Sequence, residues 1–334
     1  MHQSRRVTMQ EVASAAGVSV STVSKVLNGR YGIASATSAR VTQVVEELGY
    51  EASLVARSLR NHRTSVIGIL VADFEPFSTE VLKGAADAIR GTGFELVVYS
   101  ARGRFDEHVG WERRYLSRLV GTLVDGAVLV TPTVTDVRYD APIVAVDPHT
   151  GHSELPTVVA DNLAGAESGV RHLIEKGHRR IAMITGRPDL LSAQLREQGY
   201  RQALSQAGIA VDESLLVLGA FDPDISQAAA QDLLTRPSPP TAVFAANDLS
   251  AMAVIEVANG LGWRLPDDLS VVGFDNIPES AMTSPPLTTV EQPIRQMGHD
   301  ALAMLVRLIR GEPVEDTHLT MATRLVVRHS TRAI

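Results

Sequence analysis

From Ser65 onward, short apolar runs rich in valine and isoleucine alternate with longer stretches whose apolar residues recur at helical spacing. Residues 66–71, 95–99, 126–130 and 143–146 read as buried strands, with helices expected near 79–90 and 111–123 between them. A second series follows at 180–185, 215–218, 242–245 and 270–274. Strands separated by helices pair side by side in parallel, because a parallel partner is reached only by a long crossover. Two similar series imply two parallel α/β lobes with a cleft between them. After Pro293 there is one more helix, about 297–309, and one strand, about 323–327, which suits a chain that crosses back between lobes. The expected first lobe is about 65–162 with 294–320, and the second about 163–290 with 321–332.

The chain has 334 residues, 45% of them hydrophobic, and is too long for one ordinary core and too apolar for disorder. No run approaches the roughly 18 consecutive apolar residues that span a bilayer. Met1-His-Gln-Ser-Arg-Arg leads into no apolar stretch, so a cytoplasmic chain without a membrane partner is expected. The absence of cysteine excludes disulfides, thiolate metal sites and cysteine nucleophiles. The net charge of −7 is uneven: residues 1–64 carry eight Lys/Arg against four acids, a basic head on an acidic body. That asymmetry suggests one part that touches a polyanion and another with a different task.

Thr8-Met-Gln-Glu11 has the spacing of a capping box and should open a helix that ends at Gly17. Ser19 can cap a second helix running through Asn28, with Val23, Val26 and Leu27 inward. Ser35 opens a third, in which Val41, Val44, Val45 and Leu48 recur before Gly49. Two short helices joined by a tight glycine turn make a helix-turn-helix. Left outside on the second helix are Val20, Ser21, Thr22, Ser24, Lys25 and Asn28. Hydroxyls and an amide suit phosphate, Lys25 reaches phosphate or a guanine edge, and Val20 can meet a thymine methyl. The same residues would also serve as an ordinary solvated face.

The order of the residues from Val7 to Asn28, with Ala-Gly-Val-Ser, then Thr-Val-Ser, then Leu-Asn, closely resembles the headpiece of the lactose/galactose repressor family of bacterial transcription factors. The resemblance implies a second helix in the major groove, with Val20, Ser21 and Lys25 at base edges, and it adds Thr8 to the DNA-facing set. Residues 1–52 are then the headpiece and 53–64 a hinge. The hinge carries an apolar ridge at Val55 and Leu59 and is too short for a stable isolated helix. In the family two such hinges pair in the minor groove and a leucine wedges between base steps; Leu59 occupies the matching place, and Ala56 joins the DNA-facing set. Ala52-Ser53 stands where the family commonly has Pro-Asn, so Ser53 still caps but the restraint of a proline is lost.

Residues 65–334 resemble the family's effector domain, itself similar to periplasmic sugar-binding proteins. The similar segments include 172–181, Ala246-Asn-Asp248, 270–276 and 286–292. In open α/β lobes ligands bind beyond the carboxyl ends of strands. Asn247, Asp275, Arg196 and Phe221 fall at or beside such ends. Amide, carboxylate and guanidinium together satisfy both faces of vicinal hydroxyls, and an aromatic ring covers a sugar face. Each also has a plain structural use: Asp275 in a turn, Arg196 paired with an acid, Phe221 in a core. The resemblance implies the pocket role, extends it loosely to Phe77, and more weakly to Asp161, since Asp-Asn pairs often serve the backbone.

No His-Glu-x-x-His, Gly-x-Ser-x-Gly, P-loop or Gly-x-Gly-x-x-Gly sequence occurs, so no enzyme, metal or cofactor is expected. His149, His152, His172 and His178 read as structural or solvent-exposed. The expectation is a homodimeric regulator that binds palindromic operator DNA under control of a small, sugar-like effector. The chain ends without a heptad tail, which favours a dimer over a tetramer. The alternative is a solute-binding protein for sugar uptake, which the basic head and missing export signal disfavour.

Overall fold

The computed structural model describes residues 7–27, 32–50, 63–101, 111–133, 141–149 and 154–334, and the chain divides into two compact units, Met1–Thr64 and Ser65–Ile334. In the first unit α1 (Met9–Ala16), α2 (Val20–Leu27) and α3 (Ser35–Leu48) pack around Val12, Val23 and Val41, one fully buried valine from each. The capping box forms: the Thr8 hydroxyl accepts from the Glu11 amide at 3.3 Å, and the Thr8 amide donates to the Glu11 carboxylate at 2.7 Å. Gly17, at φ 62°, ends α1 in the left-handed conformation that lets its amide return to the Ala13 and Ser14 carbonyls. Ser19 caps α2 by accepting from the Thr22 amide at 3.2 Å. Leu48, expected on the inner ridge, is exposed, because so small a core does not reach the last turn of α3. Thr8→Ala should cost this unit ~1 kcal/mol. Calorimetry of the full chain should show its lower transition shifted down, whereas an unchanged transition would mean that the cap contributes nothing.

The second unit holds two six-stranded sheets. Its first lobe contains β1 (Val66–Val71), α4 (Pro76–Ala88), β2 (Glu95–Ser100), α5 (Trp111–Leu119), β3 (Gly126–Val130), β4 (Ile143–Val146) and β5 (Thr157–Ala160). The chain then crosses to α6 (Asn162–Glu175), β6 (Ile181–Thr185), α7 (Leu191–Gln206), β7 (Leu216–Leu218), α8 (Pro223–Leu234), β8 (Ala242–Ala245), α9 (Asp248–Gly260), β9 (Ser270–Asp275) and β10 (Thr288–Glu291). It returns with α10 (Ile294–Arg310) and β11 (His318–Met321), then crosses again to β12 (Arg324–Val326). The sheet orders are β11-β5-β4-β3-β1-β2 and β12-β10-β9-β8-β6-β7, parallel throughout except for β12 against β10. Each sheet reverses direction of winding once, between β1 and β3 and between β6 and β8, which opens a crevice at the carboxyl ends.

Three four-residue strands, β5, β10 and β11, were not expected from sequence. All sit where the chain changes lobe, and two mix threonine with few apolar residues. α4 begins at Pro76, ahead of the expected 79, because Glu75 caps it and proline fits the first helical position. His178 ties the tail to the second lobe, pairing with Thr241, Ser270 and the Arg332 carbonyl, and His172 pairs with Thr331. Trp263 packs on the edge of the second-lobe core.

Candidate functional site

On α2, Ser21 and Lys25 are exposed, while Thr22 and Ser24 are half-buried. Val20, expected outside, is half-buried and packs against the headpiece core. The Ser19 hydroxyl contacts those of Ser21 at 2.7 Å and Thr22 at 2.9 Å, which orders the first turn of the helix. Thr8 is exposed at the head of α1. Asn28, Ala56 and Leu59, and most of the hinge, lie outside the described residues.

In the second unit the polar side chains gather at strand ends. Arg196, expected at the start of a helix-flanking stretch after the strand 180–185, lies inside α7 and is 3% exposed. Its Nε donates to Asn162 Oδ1 at 2.9 Å, and its Nη1 to the Ala246 carbonyl at 2.5 Å and Asp275 Oδ1 at 3.4 Å. Its guanidinium carbon lies 3.9 Å from the Phe274 ring centre and 5.6 Å from that of Phe221. Gly186 makes room for the Phe221 ring, since a Cβ there would fall 2.2 Å from it. Asp275 ends β9 and also accepts from Gln292 Nε2 at 2.6 Å. Asn247 caps α9 through Oδ1, accepting from the Ser250 amide at 3.0 Å. Asp161 caps α6 through the Ala164 amide, the backbone use anticipated for it. Phe77 lies in the first-lobe core cluster.

Two acids that sequence reasoning passed over complete the cluster from the first lobe. Asp147 follows β4, and Glu75 follows β1, its carboxylate accepting from the Phe77 and Ser78 amides at 2.7 Å each. The signal for Asp147 was present, since it directly follows a strand that the sequence did reveal. Of seven non-glycine residues with positive φ among those described, six (Thr131, Asp147, Ala220, Phe221, Asp275 and Asn276) stand at or just beyond strand ends β3, β4, β7 and β9. Such backbone persists only where the surroundings enforce it, and it concentrates at ligand sites. The lobes meet here: the Leu191 amide donates to the His149 carbonyl at 3.1 Å, joining the loop after β4 to the start of α7.

Burial sets the electrostatics. Asp275 is pushed up to about 7, chiefly by burial and then by Glu75 and Asp147, against the opposing pull of Arg196 and Gln292. Burial also raises Asp147 and Glu75. Asp248, fully buried and held by Thr289 and the Ile277 amide, is raised well above the usual carboxylate range by burial and by Asp275. His149 is pushed down to about 4 by burial and by Arg187. Between pH 4 and 7 the folded state therefore keeps a proton on Asp275 that the unfolded chain has lost, so this group lowers stability as pH rises through that window. His149 acts oppositely, its contribution rising between about pH 4 and 6.5, and above that Asp275 and the raised Asp248 both lower stability as pH rises. The melting temperature should fall from pH 6.5 to 8, and Asp275→Asn should flatten that decline; an equally steep decline in the variant would mean that Asp275 is not its source.

Among the described residues no group of three or more His, Asp or Glu side chains could hold a metal ion, and no helix is long and apolar enough to cross a membrane. Residues 8–53 match the family described as bacterial regulatory proteins, lacI family, and residues 170–331 match the periplasmic binding protein-like domain. The chain is 35% identical to the HTH-type transcriptional regulator CelR of Thermobifida fusca, over 99% of this chain and all of that one. It is 32% identical to the transcriptional repressor CytR of Escherichia coli K12, over 99% and 98%. Among solved structures it is similar to a CelR–cellobiose complex, with 35% identity, a TM-score of 0.71 and coverage of 97% of this chain and 100% of that one. It is also similar to the lac repressor dimer bound to operator and an anti-inducer, with 25% identity, a TM-score of 0.85 and coverage of 98% and 100%.

Proposed function

Because the chain belongs to the LacI family of bacterial transcriptional regulators, we propose that it is a homodimeric, operator-binding repressor of carbohydrate-utilisation genes whose DNA affinity is set by a small sugar-like effector held between its lobes. The observation that carries the effector half is the meeting of Arg196, Asn247, Asp275 and Phe221 from the second lobe with Asp147 and Glu75 from the first, at the carboxyl ends of both sheets. Phe77 and Asp161 belong to the same reading at its margin, one in the first-lobe core and one at the crossing between lobes. CelR has been solved with cellobiose, which supports a neutral sugar as the ligand class.

The DNA half rests on Thr8, Val20, Ser21, Thr22, Ser24, Lys25 and Asn28 in the headpiece, with Ala56 and Leu59 in the segment 53–64. Two headpieces on a two-fold axis read a palindrome, and Lys/Arg contacts to phosphate make binding fall steeply with salt. An effector that alters how one lobe sits on the other changes the spacing of the two segments 53–64 in the dimer, and so their pairing in the minor groove. The cleft is a sensor in this reading and performs no catalysis, and a regulator that reads the chromosome works in the cytoplasm.

Lys25→Ala should weaken specific binding by about 1–3 kcal/mol and lessen the salt dependence. Selection from random duplexes by the full chain tests the DNA half: enrichment of a palindrome is expected, and recovery of no common sequence would overturn it.

A further inference from the structure

Resting on the effector reading above, we infer that the interlobe cleft admits only ligands that bring hydrogen-bond donors and no negative charge, and that Asp147, Asp275 and Glu75 together turn away phosphorylated sugars and sugar acids. Three carboxylates from separate elements come close enough for Asp275 to feel the other two: Glu75, which caps α4, Asp147 after β4 and Asp275 at the end of β9. Arg196 is the cation set among them, and its bonds to Asn162, Ala246 and Asp275 already use three of its five N–H groups. The other nearby cations are engaged elsewhere. Arg187 is paired with Asp189 at 2.6 Å, Arg295 with Glu80 at 2.5 Å, and Arg328 with Asn276 and the Leu287 carbonyl. The last two line a groove of about 460 Å³ together with Gln292.

A second observation specifies what is missing. Among the described residues two buried side-chain atoms have no hydrogen-bond partner, Gln292 Oε1 and His149 Nδ1. Gln292 is 3% exposed, and its own amide nitrogen is spent on Asp275, so its orphaned atom is an acceptor beside a carboxylate. His149 stays uncharged at neutral pH, so its free nitrogen can accept as well. Both unpaired atoms are thus acceptors, and a buried acceptor left alone is costly. Hydroxyl or ammonium groups of a ligand would relieve them. A phosphate or carboxylate would add further acceptors and place its charge against three acids in a poorly solvated site.

The test uses the full chain at pH 7.5 and matched pairs: cellobiose, glucose, ribose and cytidine, each beside its phosphorylated counterpart, with gluconate added. Binding is read by calorimetric titration and melting temperature. At least one neutral member should bind, with its phosphorylated counterpart at least a hundredfold weaker. A phosphorylated or acidic member that binds as tightly as its neutral counterpart would overturn the inference. Silence from every compound would instead contradict the effector reading beneath it. In folded Asp147→Asn the gap should narrow at least tenfold, and an unchanged gap would overturn the assignment to these carboxylates.

Discussion

Arg196→Ala should lower the stability of the second unit by about 3–5 kcal/mol and abolish its response to effector. The cost follows from what the guanidinium leaves behind. Asn162 Oδ1 and the Ala246 carbonyl lose a donor, and Asp275 and Asp147 lose their counter-ion while remaining buried. Those two carboxylates are already raised, so part of the cost is escaped by protonation, and the loss should be smaller at pH 5.5 than at pH 8. Arg196→Lys should fall between, because an ammonium cannot reach three acceptors in the planar geometry of a guanidinium. Urea unfolding at the two pH values checks both points. A pH-independent loss would mean that the arginine serves packing against Phe274 and not the acids.

The second large effect lies where α4 crosses α10. A Cβ on Gly84 would fall 1.8 Å from the Arg295 carbonyl oxygen, and one on Gly298 would fall 2.1 Å from that of Val81. Both neighbours are backbone, so no side-chain rotation relieves the clash and the helices must separate. Separation strips contacts from Val81, Ala85, Ala301, Leu302 and Leu305, which form the core on that face of the first sheet. Gly84→Ala and Gly298→Ala should therefore each cost about 3 kcal/mol, the upper range of overpacking by a single methyl. The double variant should cost clearly less than the sum, since the first substitution already parts the helices. Additive losses in denaturant unfolding would show that the two glycines do not share one contact.

The headpiece was legible because its signals are local: a capping box, two left-handed glycines, and an apolar residue at helical spacing on each helix. Eight strands were legible for the same reason, as unbroken apolar runs in a parallel sheet. β5, β10 and β11 carry threonine and histidine at positions that become buried or paired only when the chain changes lobe, so their register is a tertiary fact. At the cleft, the strand-end rule was applied to the second lobe and named Asn247 and Asp275, and it would equally have named Asp147. Glu75, Asn162 and Gln292 were beyond it. Each is brought in by an element boundary, a helix cap or a crossing segment, and none carries a pattern of its own. Arg196 was found for its chemistry, but its placement inside α7 depends on how that helix packs against α6 and β6.

Fluorescence anisotropy of the full chain, titrated onto the duplex upstream of its own coding sequence, addresses the regulator reading most directly. Tight binding to a palindromic stretch is expected, weakened steeply by salt and changed at least tenfold by one neutral sugar of the panel. Equal affinity for that duplex and for shuffled DNA, unmoved by every sugar, would contradict it.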